Sequence, residues 1–358
     1  MQRHEKIIGV GMGLKITFVL PHLTLSGGNK VTLMYADRLA ARGHEVTVVH
    51  GWMPRMRDRL AQRLFGRRPD ISISPRVRLL LASSSNYDRI AESLPDADVL
   101  IATWWHTVEA VANAPESKGR KFHLVQGHEV FSYLPARSAA VYRLPFHKIV
   151  VSNWLQGLMR ELYGSSATTL VINPVDVEHF VRTERSRAAT PAVGTVYSAG
   201  AGKNSEMALE AVRRARSKIA NLKLVCFASE PLPDHWLKQS FVEFHLRPDQ
   251  HQIPKIYREC DYWLFTSESE GFGLPILEAM AVGTPVIATR AGAAPDLITE
   301  ETGALVTLDA ADMADAIVRL YAQPETSWEA MSRACRAVAE RHDIETAVSE
   351  FETALAEA

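Results

Sequence analysis

The stretch "YWLFTSESEGFGLPILEAMAVGTPVIAT" (262–289) decides the architecture. It opens on a short aromatic and apolar run and passes through a turn with two glycines and a proline. An apolar segment of helical period follows, stops at Gly283, and gives way to a second β-branched run. Strand, helix and strand at this spacing form a βαβ unit, which requires a parallel sheet. Two carboxylates, Glu270 and Glu278, frame the turn. A tight turn needs the glycines, but it does not need both acids.

The same alternation runs outward in both directions. Upstream, strands are expected at 15–20, 45–50, 76–82, 98–103, 121–126, 148–152 and 169–173, with a helix over 29–43 between the first two. The polar stretch "TERSRAATPAVG" (183–194) carries no apolar period and reads as a linker. Beyond it strands are expected at 195–200, 223–228, 242–247, 262–266, 285–289 and 304–308, and the tail from Trp328 onward reads as helical throughout. The chain is therefore an α/β protein of two Rossmann-like, doubly wound parallel-sheet domains, 1–182 and 195–341, facing a central cleft. Residues 1–14 read as a flexible extension, and a C-terminal helix at about 342–358 as packing back on the first domain.

At 358 residues, with 47% apolar and 23% charged residues, the composition is that of a globular protein large enough for two cores. Net charge is −1, but residues 1–180 hold 22 Lys and Arg against 15 acids, while 181–358 hold 18 against 26. An anionic surface should therefore meet the front half. Cys226, Cys260 and Cys335 are scattered and fit neither a disulfide framework nor a zinc site, which suits a reducing cytoplasm. No segment has the length of a spanning helix.

Pro275 opens the helix after the glycine turn, so the amides of Gly273 and Leu274 are free to form an anion site. Glu270 and Glu278 cannot bind a phosphate, but they can accept hydrogen bonds from hydroxyls beside it. A lone acid there would more often complement the helix N-terminus; two acids around one glycine turn favour a site.

The two glutamates with "GFGLP" between them, followed by "LEAMAVGTPVIATRAG", resemble the signature of the retaining glycosyltransferases of family four, which have the GT-B fold. "SGGNKVTLMYADRLAARGHEVTVV" (26–49), "VSNWLQGLMRELYG" (151–164), "VINPVDVEHF" (171–180) and "GKNSEMALEAV" (202–212) are similar to that family's other segments, in order. The resemblance implies that Glu278 holds the donor ribose and Glu270 faces the transferred sugar. Phe272, Gly273 and Leu274 would bind sugar and diphosphate through their backbone, and Lys203 would neutralise the β-phosphate. A lysine at a helix start is badly placed for the helix dipole, which favours an anion-binding role. No metal or other cofactor is implied.

One departure stands out. The family's arginine about five positions before this lysine is replaced in "YSAGAGKN" by Ser198 or Ala199, so that Arg247 or Lys30 must supply a second charge, or diphosphate binding is weaker. Gly27 and Gly28 follow the first strand and read as the first domain's contact to donor phosphate or acceptor. In "KFHLVQGHEV" (121–130), Gln126 takes the place of a family histidine near the reacting carbon. His128 is the preferred catalytic choice, with Gln126 and Glu129 on the acceptor side. Asp96 and Asp98 open a strand and read as solvated acids, not metal ligands. "GVGMG" (9–13) precedes a strand and is no dinucleotide loop.

The arginine-rich stretch 52–78 reads equally as an amphipathic helix on anionic lipid and as an ordinary surface helix. The basic front half tilts towards the membrane, and the lack of interleaved aromatics argues against nucleic acid.

The expected function is transfer of a hexose or deoxyhexose from a nucleoside-diphosphate sugar to a glycan or lipid-linked acceptor in surface polysaccharide biosynthesis, in the cytoplasm, either free or peripheral at the inner face of the membrane. The rival is a non-catalytic sugar-nucleotide-binding or scaffold subunit. A GT-B epimerase fits the motifs less well.

Overall fold

The computed structural model describes residues 13–23, 26–51, 73–82, 87–165 and 167–357. Most of the expected 1–14 extension and residues 52–72 of the basic segment lie outside them.

The first sheet contains β1 (Lys15–Leu20), β2 (Glu45–His50), β3 (Arg78–Leu81), β4 (Val99–Ala102), β5 (Arg120–Val125), β6 (His147–Val150) and β7 (Thr168–Leu170), in the order β3-β2-β1-β4-β5-β6-β7. The second contains β8 (Ala192–Val196), β9 (Lys223–Ala228), β10 (Val242–Leu246), β11 (Tyr262–Phe265), β12 (Val286–Thr289) and β13 (Gly303–Val306), in the order β10-β9-β8-β11-β12-β13. All pairings are parallel. Helices cover both faces of such sheets, so the central strands are apolar on both sides: Phe18, Leu100 and Ile101 are fully buried, as are Val193 and Tyr262.

Strand order reverses between β1 and β4 in one sheet and between β8 and β11 in the other. Thus Ile16 of β1 pairs with both Val46 and Val99, and Val193 of β8 with both Leu224 and Tyr262. Loops leaving the carboxyl ends of neighbouring strands on opposite sides of this point open a crevice, and the crevice is where ligands of such sheets bind.

The helices that shape the cleft are α1 (Gly27–Ala41), α2 (Trp105–Ala112), α3 (Asn153–Tyr163), α4 (Ser205–Ala215) and α5 (Leu274–Ala281); two more, α6 (Glu325–Arg341) and α7 (Ile344–Glu357), form the tail. Ser26 caps α1, its hydroxyl accepting from Asn29 N, and Ser152 caps α3 through Leu155 N. The tail returns to the first sheet. Phe351 of α7 stacks on Tyr35 at 4.3 Å and on Phe18 at 6.2 Å, and Arg42 pairs with Glu345 and Glu352. Burying a phenylalanine in this way contributes about 1.5–3 kcal/mol.

Three expectations are corrected. The strand expected at 195–200 starts earlier, at Ala192, so the last residues of the expected linker belong to β8. Gly194, which read as loop, lies under the Trp263 ring, where a β-carbon would come within 2.2 Å. The tail is not helical throughout: it breaks at His342 and Asp343, where Asp343 Oδ1 accepts from Thr346 N at 2.7 Å and Val175 bridges to Asp343. Pro275 occupies the second position of α5, which begins at Leu274 and places Glu278 beyond the first turn.

Candidate active site

The loop after β11 is fixed by contacts that tolerate little variation. Gly273, at φ +99°, caps α5 and presses on Phe265, where a β-carbon would come within 2.8 Å. At Gly271 a β-carbon would sit 1.7 Å from Gln126 O, so loops of the two sheets touch backbone to backbone here. Ser152 Oγ donates to Gly271 O at 2.8 Å, and Gly27 lies against Leu274.

Between the two sheets lies a cavity of about 360 Å3, and the N-terminus of α5 opens on it. Gly27, Gly28, Lys30, Gln126 and Asn173 line it from the first sheet's side, and Lys203, Phe227, Ile253, Glu270, Phe272, Gly273, Leu274, Pro275 and Glu278 from the second's. Lys203 ends a 3-10 turn tied to the β11 loop: Thr266 Oγ1 donates to Lys203 O at 3.0 Å and Glu268 N to Gly202 O at 2.9 Å. Its ammonium forms an ion pair with Glu270, whose Oε1 also accepts from Ser267 Oγ at 3.0 Å. Glu278 accepts from Tyr257 OH at 2.7 Å. Burial raises its pKa above the ordinary carboxylate value, against the pull of that hydroxyl and of the nearby Lys30 and His179. The cavity therefore holds two lysines, two acids, a helix N-terminus and a glycine turn. This set can hold a polyanion beside groups that bind hydroxyls.

The structure gathers Gly27, Gly28, Gln126, Lys203, Glu270, Phe272, Gly273, Leu274 and Glu278 into this one cavity. Three other expected site residues sit elsewhere. Arg247 does not line it; its Nε donates to Ser229 O at 2.7 Å from a left-handed backbone, φ +49°. His128 pairs through Nε2 with Tyr163 OH at 2.6 Å and leans on the Tyr142 and Tyr163 rings; burial lowers its pKa. The Glu129 carboxylate accepts from the Trp105 backbone N–H at the start of α2, and burial pushes its pKa up to about 8.

Where the family's arginine would stand, Ser198 N donates to Ser205 Oγ at 3.0 Å and Ala199 N to Glu230 Oε1 at 2.7 Å.

Sequence reasoning missed Tyr257, Asn173 and Gln250. Among the described residues, Asn173 Oδ1 is buried without a hydrogen-bond partner, as is Gln126 Oε1. Gln250 joins the two sides of the cleft, accepting from Lys30 Nζ at 2.8 Å and meeting His179 Nε2 through its carbonyl at 3.1 Å. It falls in "HLRPDQHQIP" (245–254), a loop that faces the cleft but whose polar side chains carry no local sign of their partners.

Asp96 pairs with Lys118 and Asp98 accepts from Lys15 N, both away from the cavity. Among the described residues, Glu243, His245 and Glu259 lie close enough to share a metal ion. Glu243 and His245 lie on the outer strand β10 and Glu259 follows a short helix, and each acid already has a lysine at 3.7 Å. No helix among the described residues is long and apolar enough to cross a membrane.

Residues 25–179 match the family described as Glycosyltransferase Family 4, and residues 191–323 match Glycosyl transferases group 1. The chain is 41% identical over 91 residues to a D-inositol 3-phosphate glycosyltransferase of Saccharomonospora viridis, covering 25% of this chain and 21% of the relative. It is 48% identical over 60 residues to the lipopolysaccharide core biosynthesis mannosyltransferase LpsB of Rhizobium meliloti, covering 16% of this chain and 17% of the relative. The matched stretches thus span about a fifth of these curated relatives. In solved structures, the sucrose-phosphate synthase of Thermosynechococcus elongatus superposes with a TM-score of 0.76 at 20% identity, over 95% of this chain and 98% of that one. HepE of Anabaena, in complex with UDP and glucose, gives 0.73 at 16%, over 96% and 100%. Two parallel sheets facing a cleft and family matches over both halves lead to one conclusion: the chain belongs to the family-four, group 1 glycosyltransferases, with the GT-B fold.

Proposed function

We propose that the protein is a retaining glycosyltransferase that moves a hexose or deoxyhexose from a nucleoside-diphosphate sugar to a glycan or lipid-linked acceptor in surface polysaccharide biosynthesis. One observation carries the reading: Lys203, Glu270 and Glu278 surround the N-terminus of α5 in a single cavity opposite the Gly27–Gly28 turn. Binding of UDP and glucose by HepE, a protein of the same fold, supports a nucleotide-sugar donor. LpsB supports a sugar acceptor of the cell surface.

In this reading the donor diphosphate lies on the N-terminus of α5, beside Lys203. The ribose hydroxyls donate to Glu278, held in place by Tyr257, and the transferred sugar lies at Glu270. As the C1–O bond to the β-phosphate breaks, positive charge grows on the sugar ring and negative charge on the departing phosphate. Lys203 and the helix amides are already placed to stabilise that phosphate. The acceptor hydroxyl attacks C1 from the same face, its oxygen forming the new bond and its proton passing to the leaving phosphate oxygen. No protein nucleophile takes part, and configuration is retained.

The rival, a sugar-nucleotide-binding scaffold subunit, is favoured by the serine and alanine at 198 and 199. Incubation with a nucleotide sugar in the absence of acceptor separates the two. An enzyme slowly releases free sugar and nucleoside diphosphate, whereas a binding subunit releases none, and the absence of release by a chain that binds the nucleotide would put the rival ahead.

A further inference from the structure

We infer that Lys30, reaching across from the first sheet, is the second cation of the diphosphate site. The inference rests on the donor reading above and goes beyond it. The family's usual second cation is missing here, since Ser198 and Ala199 stand in its place and their amides are bonded to Ser205 and Glu230. Arg247 does not replace it, because its guanidinium is turned back on Ser229 O.

Of the described residues that line the cavity, the charged ones are Lys30, Lys203, Glu270 and Glu278. Lys203 is engaged by Glu270, while Lys30 donates to a neutral amide, Gln250 Oε1, at 2.8 Å. Charge decides between them. With both lysines present the cavity wall is balanced; without Lys30 it is net negative and opposes a diphosphate. Position agrees. Lys30 lies in the first turn of α1, a turn with no acidic residue, where the helix dipole disfavours a cation. A phosphate between this turn and the start of α5 makes both helix ends and both lysines favourable at once. The long lysine stem allows Nζ to leave Gln250 for a phosphate oxygen.

Lys30 belongs to one side of the cleft and Lys203 to the other. A diphosphate bridging them therefore ties the two sides together, which a nucleoside without phosphates cannot do.

The test is calorimetric titration with UDP, GDP, ADP and dTDP, and with the matching nucleoside of whichever binds. It is applied to the unmutated chain, Lys30→Met and Lys30→Arg, each checked for an unchanged circular dichroism spectrum. The inference expects Lys30→Met to weaken the diphosphate by about tenfold or more, as loss of a charge-assisted contact does, with the nucleoside changed less than about twofold and Lys30→Arg close to the unmutated chain. Equal weakening of nucleoside and diphosphate would overturn it, placing Lys30 at the ribose or in packing of the cleft. Undiminished diphosphate binding by Lys30→Met would also overturn it, and would leave the donor reading standing. If the unmutated chain bound none of the four, the donor reading and this inference would fall together.

Discussion

At the carboxyl edge of the second sheet, the loop after β11 brings Glu270 to a cavity whose wall Lys203 and Glu278 share. At the same edge of the first sheet, the loop after β5 carries His128 and Glu129, and neither lines that cavity. His128 is spent on Tyr163, and Glu129 on the amide that starts α2. The first sheet instead contributes glycine backbone, the Gln126 amide and Lys30. Two loops at the carboxyl edges of the two sheets thus divide the work: one supplies charge and hydroxyl acceptors, the other close approach.

The sharpest way to break this comparison is Glu270→Ala. It should lower turnover by about 100- to 1,000-fold, the range seen when a group acting on the transition state is lost. The melting temperature should barely move, because Lys203 is 48% exposed and an exposed ion pair contributes about 0–1 kcal/mol. Near-normal turnover would remove Glu270 from the chemistry.

Next in size is Gly271→Ala. Its methyl group would meet Gln126 O at 1.7 Å, so the two loops must separate. A stability loss of about 1–3 kcal/mol is expected in chemical denaturation, with a parallel loss of activity. Unchanged stability would mean the loops are not held together as described.

His128→Gln should cost far less than Glu270→Ala, under about tenfold in turnover, since the imidazole is hydrogen-bonded away from the cavity. Steady-state kinetics with the two variants side by side would settle the ranking. A loss equal to that of Glu270→Ala would restore the histidine to catalysis.

A pH dependence of stability tests the other loop without touching turnover. Glu129 titrates near 4.5 when unfolded and at about 8 when folded, because burial disfavours its charge. Between those values the folded chain keeps a proton that the unfolded chain has lost. Its contribution to stability is therefore full below about 4.5 and is lost as pH rises through about 8. Glu129→Gln keeps an oxygen for the α2 amide and should flatten that part of the stability profile, as measured by urea unfolding at several pH values. An unchanged slope would show that the carboxyl is ionised in the folded protein.

Legibility in the sequence follows the same division. The βαβ unit at 262–289 could be read because its determinants are local: aromatic strand, glycine turn, proline in the first helical turn, and acids at fixed spacing. The start of β8 was hidden because Gly194 looks like a turn residue, and its purpose, room for Trp263, lies on another strand. The last helix could be placed to within two residues, at about 342–358, but its capping by Asp343 could not, because apolar periodicity continues on both sides of that aspartate. His128 read as catalytic because its partner is 35 residues away, and Lys30 met its Gln250 partner across 220 residues. A single sequence shows residue types and spacing, but does not show which distant loop closes on which.

The central claim, that the acids and Lys203 surround a nucleoside diphosphate, is tested most directly by thermal shift with UDP, GDP, ADP and dTDP in parallel. Ligand at 100 times Kd stabilises the folded chain by about 2.7 kcal/mol. The account predicts a clear rise with one of the four and little with the others, and a rise that disappears in Lys203→Ala. No rise with any of them, at concentrations up to several millimolar, would contradict it.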